Sequence, residues 1–475
     1  MLAYSIDKQG NMLTVTCSDG GSIATDKWVD VANFLLEPTD MSVVYNVDEF
    51  VEDIASTMDK TESAKLLAGG RIFSSDRRKL YYQPNRVFGI NQINFYGLSR
   101  YASNGRIADA DSLLSFGKKV VNAYKEGFGV SAEKLSSPVA VFSEVFDKLD
   151  FPRACDLPDE AMDMVELCST VMTREWRDVY KLGHWEAGEL YDYDISSGYP
   201  YIVAGLPDIS NAKFFTSKTM PSEYSWGELH GKLKITKHVS PFICPSRDCY
   251  GTGEWEDTIS TEQLWLLNKY GIGEFDMEYG HFYLLPENVV YPFKNTMDNL
   301  YKKRSSPNPM VAKVAKGISV GFWGKFAEVY EDNKLGDNFN SIYARMTTSR
   351  CLVKVAAFIY HNKLEDDLVS VLVDGCLATK RLPVVNRKVM GSWRISEPMP
   401  ALVMSLLYQW MGDKKPGNMD YTEIMKMIGE RPETPCYGEI DMNLLEYKRH
   451  FNSLPKTGRE LLSGKYTSEP YSITD

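Results

Sequence analysis

Tyr191-Asp192-Tyr193-Asp194-Ile195-Ser196-Ser197-Gly198-Tyr199-Pro200 is the stretch on which the fold turns. Apolar and polar residues alternate up to Ile195, which reads as a strand. Ser196 to Pro200 then reads as a turn. A second short strand, Val369 to Val373, is apolar except for Ser370 and ends at Asp374-Gly375. Two strands that each end in a carboxylate are costly to build. An unpaired buried charge destabilises by several kcal/mol, on the order of 2–7, or takes up a proton. A divalent cation removes that cost, and carboxylates with water suit Mg²⁺. The plain alternative is that each aspartate only shapes a turn, since Asp-Gly is common there.

Between these strands lies a basic stretch. Residues 301–327 carry six basic side chains and no acidic one: Lys302, Lys303, Arg304, Lys313, Lys316 and Lys325. The whole chain of 475 residues has 53 basic and 64 acidic residues, a net charge of −11. Lys313 and Lys316 share a helix face, which suits a polyphosphate. A solvated helix face is the other reading. The net acidity excludes a small basic protein that coats nucleic acid by bulk charge, but leaves room for a local basic cleft.

Outward from this centre the chain reads as an ordinary mixed α/β protein of about three domains. Asp19-Gly20-Gly21 is a hairpin turn between Leu13–Thr16 and Ser22–Ala24. Met41 to Asn46 is a strand, and Val47 to Ile54 has helical spacing. Residues 106–170 look mostly helical. Residues 226–290 alternate strands with one helix, Ser260 to Tyr270, and 293–327 read as a helical hairpin broken at 305–309. Residues 341–364 form a long amphipathic helix, and 400–475 look mainly helical. Eight scattered cysteines without a Cys-x-x-Cys pair read as reduced thiols rather than a zinc site. No apolar run reaches the roughly 18 residues that span a bilayer, and no secretory signal opens the chain.

The motifs resemble family B DNA polymerases, closest to the protein-primed phage and plasmid branch. Asp194 to Pro200 resembles motif A, Asp-x-x-Ser-Leu-Tyr-Pro, with Gly198 in the place of Leu, which would loosen the pocket floor. Lys316 to Phe326 resembles motif B, Lys-x-x-x-Asn-Ser-x-Tyr-Gly, with Val320 and Gly321 in the Asn and Ser positions. Asp374-Gly375 resembles the end of motif C, with Leu372 in the place of its first Asp. Asn340 to Arg350 resembles the long palm helix, and Gly391-Ser392-Trp393-Arg394-Ile395-Ser396-Glu397 resembles a Gly-x-Trp-x-x-Glu stretch, with one extra residue before the Glu. The likeness covers about residues 171–400.

The resemblance implies a multi-domain α/β (α+β) right-hand polymerase. Residues 1–170 would be an N-terminal αβ domain, either a degenerate exonuclease-like fold without nuclease activity or an unrelated packing domain. The palm would take 171–292 and 331–400, the fingers 293–330 and the thumb 401–475. Asp194 and Asp374 would be catalytic and would bind two Mg²⁺ ions (Mn²⁺ able to substitute), with the Ile195 carbonyl facing one ion. Ser197, Tyr199, Arg304, Lys313, Lys316, Trp323 and Gly324 would bind the deoxynucleoside triphosphate. Lys302, Lys303, Lys325, Lys414 and Lys415 would line the DNA primer-template. Tyr199 would pack under the sugar and exclude a 2′-hydroxyl. A priming protein is a further partner the branch suggests, and a membrane is not expected. The expected setting is the cytoplasm of a host cell, with a phage or mobile-element origin. Two other readings stay open. One is a catalytically inactive polymerase fold that binds nucleic acid. The other is a nucleotidyltransferase that primes on protein or ignores a template.

Overall fold

Period-two burial builds the first sheet. Met12–Cys17 buries Leu13, Val15 and Cys17 and pairs antiparallel with Leu2–Gln9 and Ser22–Thr25. The expected hairpin turn is there, its Asp19 carboxylate accepting the Gly21 N–H at 2.9 Å. The computed structural model describes residues 1–403 apart from 11, 36–40, 70, 74–78, 84–86, 91–92, 103–106, 108, 133–134, 136–137, 143–148, 246–248 and 331–333, and beyond them 409–411, 465–467 and 472–473. The chain divides into two compact units, 1–150 with 298–322, and 151–297 with 323–475.

In the first unit Leu2–Gln9 runs parallel to Ser42–Val44, which runs parallel to Ile93–Gly97. Val87–Ile90, Lys79–Gln83 and Arg71–Phe73 extend the sheet in antiparallel order to eight strands. Helix Val47–Ala55 begins at Asn46, whose side chain accepts the Asp48 N–H, and buries Phe50, Val51 and Ile54 among the sheet's side chains. Helix Ala110–Phe128 starts on the Asp109 cap and stops at Gly129 in the left-handed conformation. Helix Pro309–Gly321 starts on Asn308 with proline at its first position.

The second unit contains an antiparallel sheet in the order Trp393–Ile395, Tyr191–Ile195, Gly375–Ala378, Leu368–Leu372, Arg177–Val179. A second sheet is ordered Lys213–Ser217, Gly273–Leu284, Trp226–Ile235, Thr252–Ser260, Ser472–Ile473. One core joins them. Leu352, Val355, Ala356 and Ile359 of helix Ser341–His361 share it with Tyr193, Ile195 and Val371 of the first sheet, and with Leu229, Leu233 and Ile259 of the second.

That helix departs from its amphipathic reading. Residues 341–349 are buried on every side. Its hydroxyls make this tolerable: Thr347 donates to the Tyr343 carbonyl at 2.7 Å and Thr348 to the Arg345 carbonyl at 3.1 Å. Arg345 is also buried and donates from Nε to Glu228 at 2.9 Å, with Gln263 as a further acceptor. Burial pushes the Glu228 carboxyl up to about 7, against the pull of Arg345. The residues described beyond 400 are strands, not the helices expected there, and Lys414 and Lys415 lie outside the described residues. Among the described residues no helix is long and apolar enough to cross a membrane.

A charge left alone at such depth is expensive. Arg345→Met is therefore expected to cost about 3–5 kcal/mol in chemical denaturation, and adding Glu228→Leu should recover much of it. Equal midpoints for wild type and Arg345→Met would show that the pair does not hold the helix to the sheet.

Candidate active site

Antiparallel register brings the two aspartates together. Asp194 lies opposite Gly375 on one side and opposite Arg394 on the other. The Ile195 N–H donates to the Asp374 carbonyl at 3.0 Å, so the two motifs share a backbone hydrogen bond. Leu372 pairs with Gly375, which leaves Val373 and Asp374 as the two turn residues of a tight hairpin. Gly375 must be glycine here, since a Cβ would stand 2.7 Å from the Tyr193 carbonyl oxygen.

The turn is strained and pinned. Val373 has φ +60°, a left-handed conformation that costs a β-branched residue about 1–2 kcal/mol. Its N–H donates to the Trp176 carbonyl at 2.9 Å, and its own carbonyl accepts the Cys351 thiol at 3.7 Å. Ser197, at φ +56°, makes a similar sharp bend into helix Gly198–Ala204. Gly198 does not loosen the pocket as its sequence position suggests. A Cβ there would lie 3.1 Å from both Cβ and Oδ2 of Asp374, so the space a side chain would take is filled by that aspartate.

Charge follows from this crowding. Burial, and then the neighbouring Asp194 charge, push the Asp374 carboxyl up to about 6. Arg394 opposes the build-up by donating to Asp194 Oδ2 from Nε at 2.8 Å and also from Nη2. Burial likewise raises the Cys351 thiol, with Asp374 the next cause.

Tyr199 is buried, and its ring stacks on Trp323 at 5.1 Å and 19°. Its hydroxyl donates to Glu175, whose carboxylate also pairs with Arg177 at 2.6 Å. The second unit thus gathers Asp194, Asp374, Ile195, Ser197, Tyr199 and Trp323. Gly324 follows Trp323 with open space where a side chain would be. Lys325 is held by both carboxylate oxygens of Glu328, at 3.0 and 2.9 Å.

The other basic residues of the 301–327 stretch belong to the first unit. Lys302 and Lys316 are exposed. Lys303 donates to the Gly127 carbonyl and lies over the Phe128 ring. Lys313 donates to the Ala102 carbonyl, and burial, then Lys316, lower its pKa. Arg304 is half-buried. Lys303, Lys313 and Lys325 therefore serve the fold in this structure, and Lys302 and Lys316 keep outward-facing charge.

Sequence reading passed over Arg394, Glu175 and Cys351. A signal for Arg394 existed: residues 380–396 carry Lys380, Arg381, Arg387, Lys388 and Arg394 with no acidic residue, the same bias that singled out 301–327. Glu175 and Cys351 give no comparable signal.

Comparison with known proteins bears on this geometry. No protein-family model and no curated protein matches the chain. Among solved structures, phi29 DNA polymerase complexed with primer-template DNA aligns at a TM-score of 0.54 and 12% identity, over 85% of this chain and 84% of that one. The same polymerase with primer-template DNA and incoming nucleotides aligns at 0.52 and 13%, over 84% and 85%. Its complex with single-stranded DNA gives 0.54 and 11%, over 84% of each. The chain has a DNA polymerase-like α/β fold. At such identity the likeness is one of fold.

The raised Asp374 pKa carries a pH signature. The folded state holds this proton more tightly than the unfolded chain, whose pKa is near 3.8. The stability it contributes is full below that value and is lost as pH rises through about 6. Asp374→Asn should remove the loss. In metal-free thermal or urea denaturation the variant should be more stable than wild type above pH 7, on the order of 1–2 kcal/mol after solvent screening, and the gap should close near pH 4. A gap that does not change with pH would rule the coupling out.

Proposed function

We propose that this chain is a template-directed DNA polymerase of the family B type, extending a primer 3′-hydroxyl with deoxynucleotides and lacking a proofreading nuclease. What carries the reading is the juxtaposition of Asp194 and Asp374 by the pairing of Tyr191–Ile195 with Gly375–Ala378, on a polymerase-like fold. The division into palm at 171–292 and 331–400, fingers at 293–330, thumb at 401–475 and an N-terminal domain at 1–170 belongs to the same proposal.

The donor set suits a divalent cation. Two hard carboxylates meet across a hairpin turn, and a cation, the Arg394 guanidinium, already sits on one of them. Among the described residues no group of three or more His, Cys, Asp or Glu side chains could hold a metal ion, so Asp194 and Asp374, with the Ile195 carbonyl, are the protein ligands proposed. A bound Mg²⁺ or Mn²⁺ would supply charge neutralisation for in-line phosphoryl transfer. The chain's own residues would position the substrates. Tyr199, held by Glu175 and backed by Trp323, would be a rigid wall beneath the sugar, with no room for a 2′-hydroxyl. Lys316 would offer an exposed ammonium to the triphosphate, and Lys302 would offer one to DNA. Lys303, Arg304, Lys313 and Lys325 would contribute only if their present contacts opened.

A second reading has a specific observation in its favour. Arg394 sits on Asp194, and Leu372 stands where motif C carries its first aspartate, as they could in a polymerase fold that binds nucleic acid without catalysis.

Primer extension decides between them. With Mg²⁺ or Mn²⁺, wild type should add template-matched deoxynucleotides, and Asp194→Asn should lose roughly three orders of magnitude in rate while keeping its circular dichroism. Its DNA affinity should fall steeply with salt. Saturable DNA binding with no incorporation under either metal would select the non-catalytic reading. Product that does not follow the template would select a template-independent transferase.

A further inference from the structure

The two oxygens of Asp194 face different neighbours. Oδ1 lies on the Gly375 side, 3.5 Å from where a Cβ of that glycine would stand, and Gly375 directly follows Asp374. Oδ2 lies on the opposite side and accepts both Nε and Nη2 of Arg394. Arg394 is exposed, its side chain 54% accessible, yet its place is set by the sheet. It stands directly across the antiparallel ladder from Asp194, so the two side chains share a face. Its strand is fixed on both flanks. Trp393 stacks on Phe358 at 3.8 Å and 19°, and the Ile395 N–H donates to Asn386 Oδ1 at 2.8 Å. Ser396 bonds Asp192 through its N–H at 2.9 Å and its hydroxyl at 2.8 Å.

Carboxylate supply is short on the other side of the site. The position two residues before Asp374 is Leu372, 39% exposed and unable to ligate. A pair of divalent ions about 4 Å apart needs bridging oxygens that reach both ions. Here Asp194 Oδ2 is already committed to a guanidinium, whose planar fork matches a carboxylate and carries a permanent charge.

We propose that Arg394 takes the place of one of the two cations, so that the site accepts a single divalent ion between Asp194 Oδ1 and the Asp374 carboxylate. This inference rests on the polymerase reading. Arg394 acts through Asp194 as a positioning residue: it orients the carboxylate and supplies the second positive charge from the protein itself.

Counting Mn²⁺ tests it. The full chain is bound to primer-template and a non-hydrolysable deoxynucleoside triphosphate, and bound Mn²⁺ is measured by electron paramagnetic resonance. Wild type should hold one ion per complex, with the spectrum of an isolated centre. Arg394→Gln should hold two, with the spin coupling of ions about 4 Å apart. Arg394→Lys, which keeps the charge, should stay at one. Two coupled ions in wild type would overturn the inference and leave the polymerase reading standing, and that count decides the matter even if Arg394→Gln does not fold. A single ion in a folded Arg394→Gln would also overturn it. No bound Mn²⁺ in any variant, together with no primer extension, would remove both readings.

Discussion

Two like charges held side by side are the constraint around which the second unit is arranged. The ladder that sets Asp194 against Gly375 leaves Asp374 no distant place to go, and the shared Ile195–Asp374 backbone bond closes the gap. Carboxylates so placed repel, and the burial that keeps them in position weakens their hydration. The arrangement persists because the surrounding structure over-determines it. Backbone bonds to Trp176 and the thiol of Cys351 hold the strained Val373 turn from two directions. A turn held only by its own residues would relax toward a conformation with negative φ and separate the charges.

The long helix supplies most of that rigidity. Cys351 reaches the turn from helix Ser341–His361, and Phe358 of the same helix stacks on Trp393 beside Arg394. One rod therefore contacts the site at two points, two turns apart on one face. It is in turn fastened to the second sheet by the buried Arg345–Glu228 pair. Loosening that pair would act on the aspartates at a distance, through rigid packing rather than through any contact of its own. The same logic explains the substitution at Gly198. In a crowded site the Asp374 side chain and a larger residue at 198 would claim the same volume.

Much of this was legible in the sequence. The strand that carries Asp194 and the strand that leads into Asp374 were visible because alternation in the one, and an apolar run in the other, stop abruptly at a turn. Gly375 marked a turn directly after Asp374, and Asp19-Gly20-Gly21 marked its hairpin. What sequence hides is partnership. Arg394 and Asp194 are 200 positions apart, and only the sheet order makes them neighbours. The helix looked amphipathic because its serines and threonines counted as polar, whereas Thr347 and Thr348 turn their hydroxyls back onto the preceding turn and pass as core residues. The Asn46-Val47-Asp48-Glu49 stretch is committed locally. Asn46 caps its helix and donates to Glu49 at 3.0 Å, while Asp48 accepts the Tyr82 hydroxyl.

The basic stretch at 301–327 shows the limit of counting charges. Six cations in an acidic chain suggested a phosphate-binding face. Lys303 and Lys313 instead satisfy backbone carbonyls, and Lys325 neutralises Glu328. An ammonium already bonded to a carbonyl must give up that bond before it meets a phosphate, a cost comparable to the contact it would gain. Local charge density is thus a poor guide to binding, and uncommitted charge is the better one. By that measure Lys302 and Lys316 stand apart from their neighbours. Arg394 is an instructive reverse case: it is committed, yet its partner is a carboxylate of the site, so its charge acts where phosphate chemistry would need it. Total charge does not decide such a centre: within a chain of net charge −11, a few fixed neighbours set the field, and here one guanidinium offsets part of a carboxylate pair.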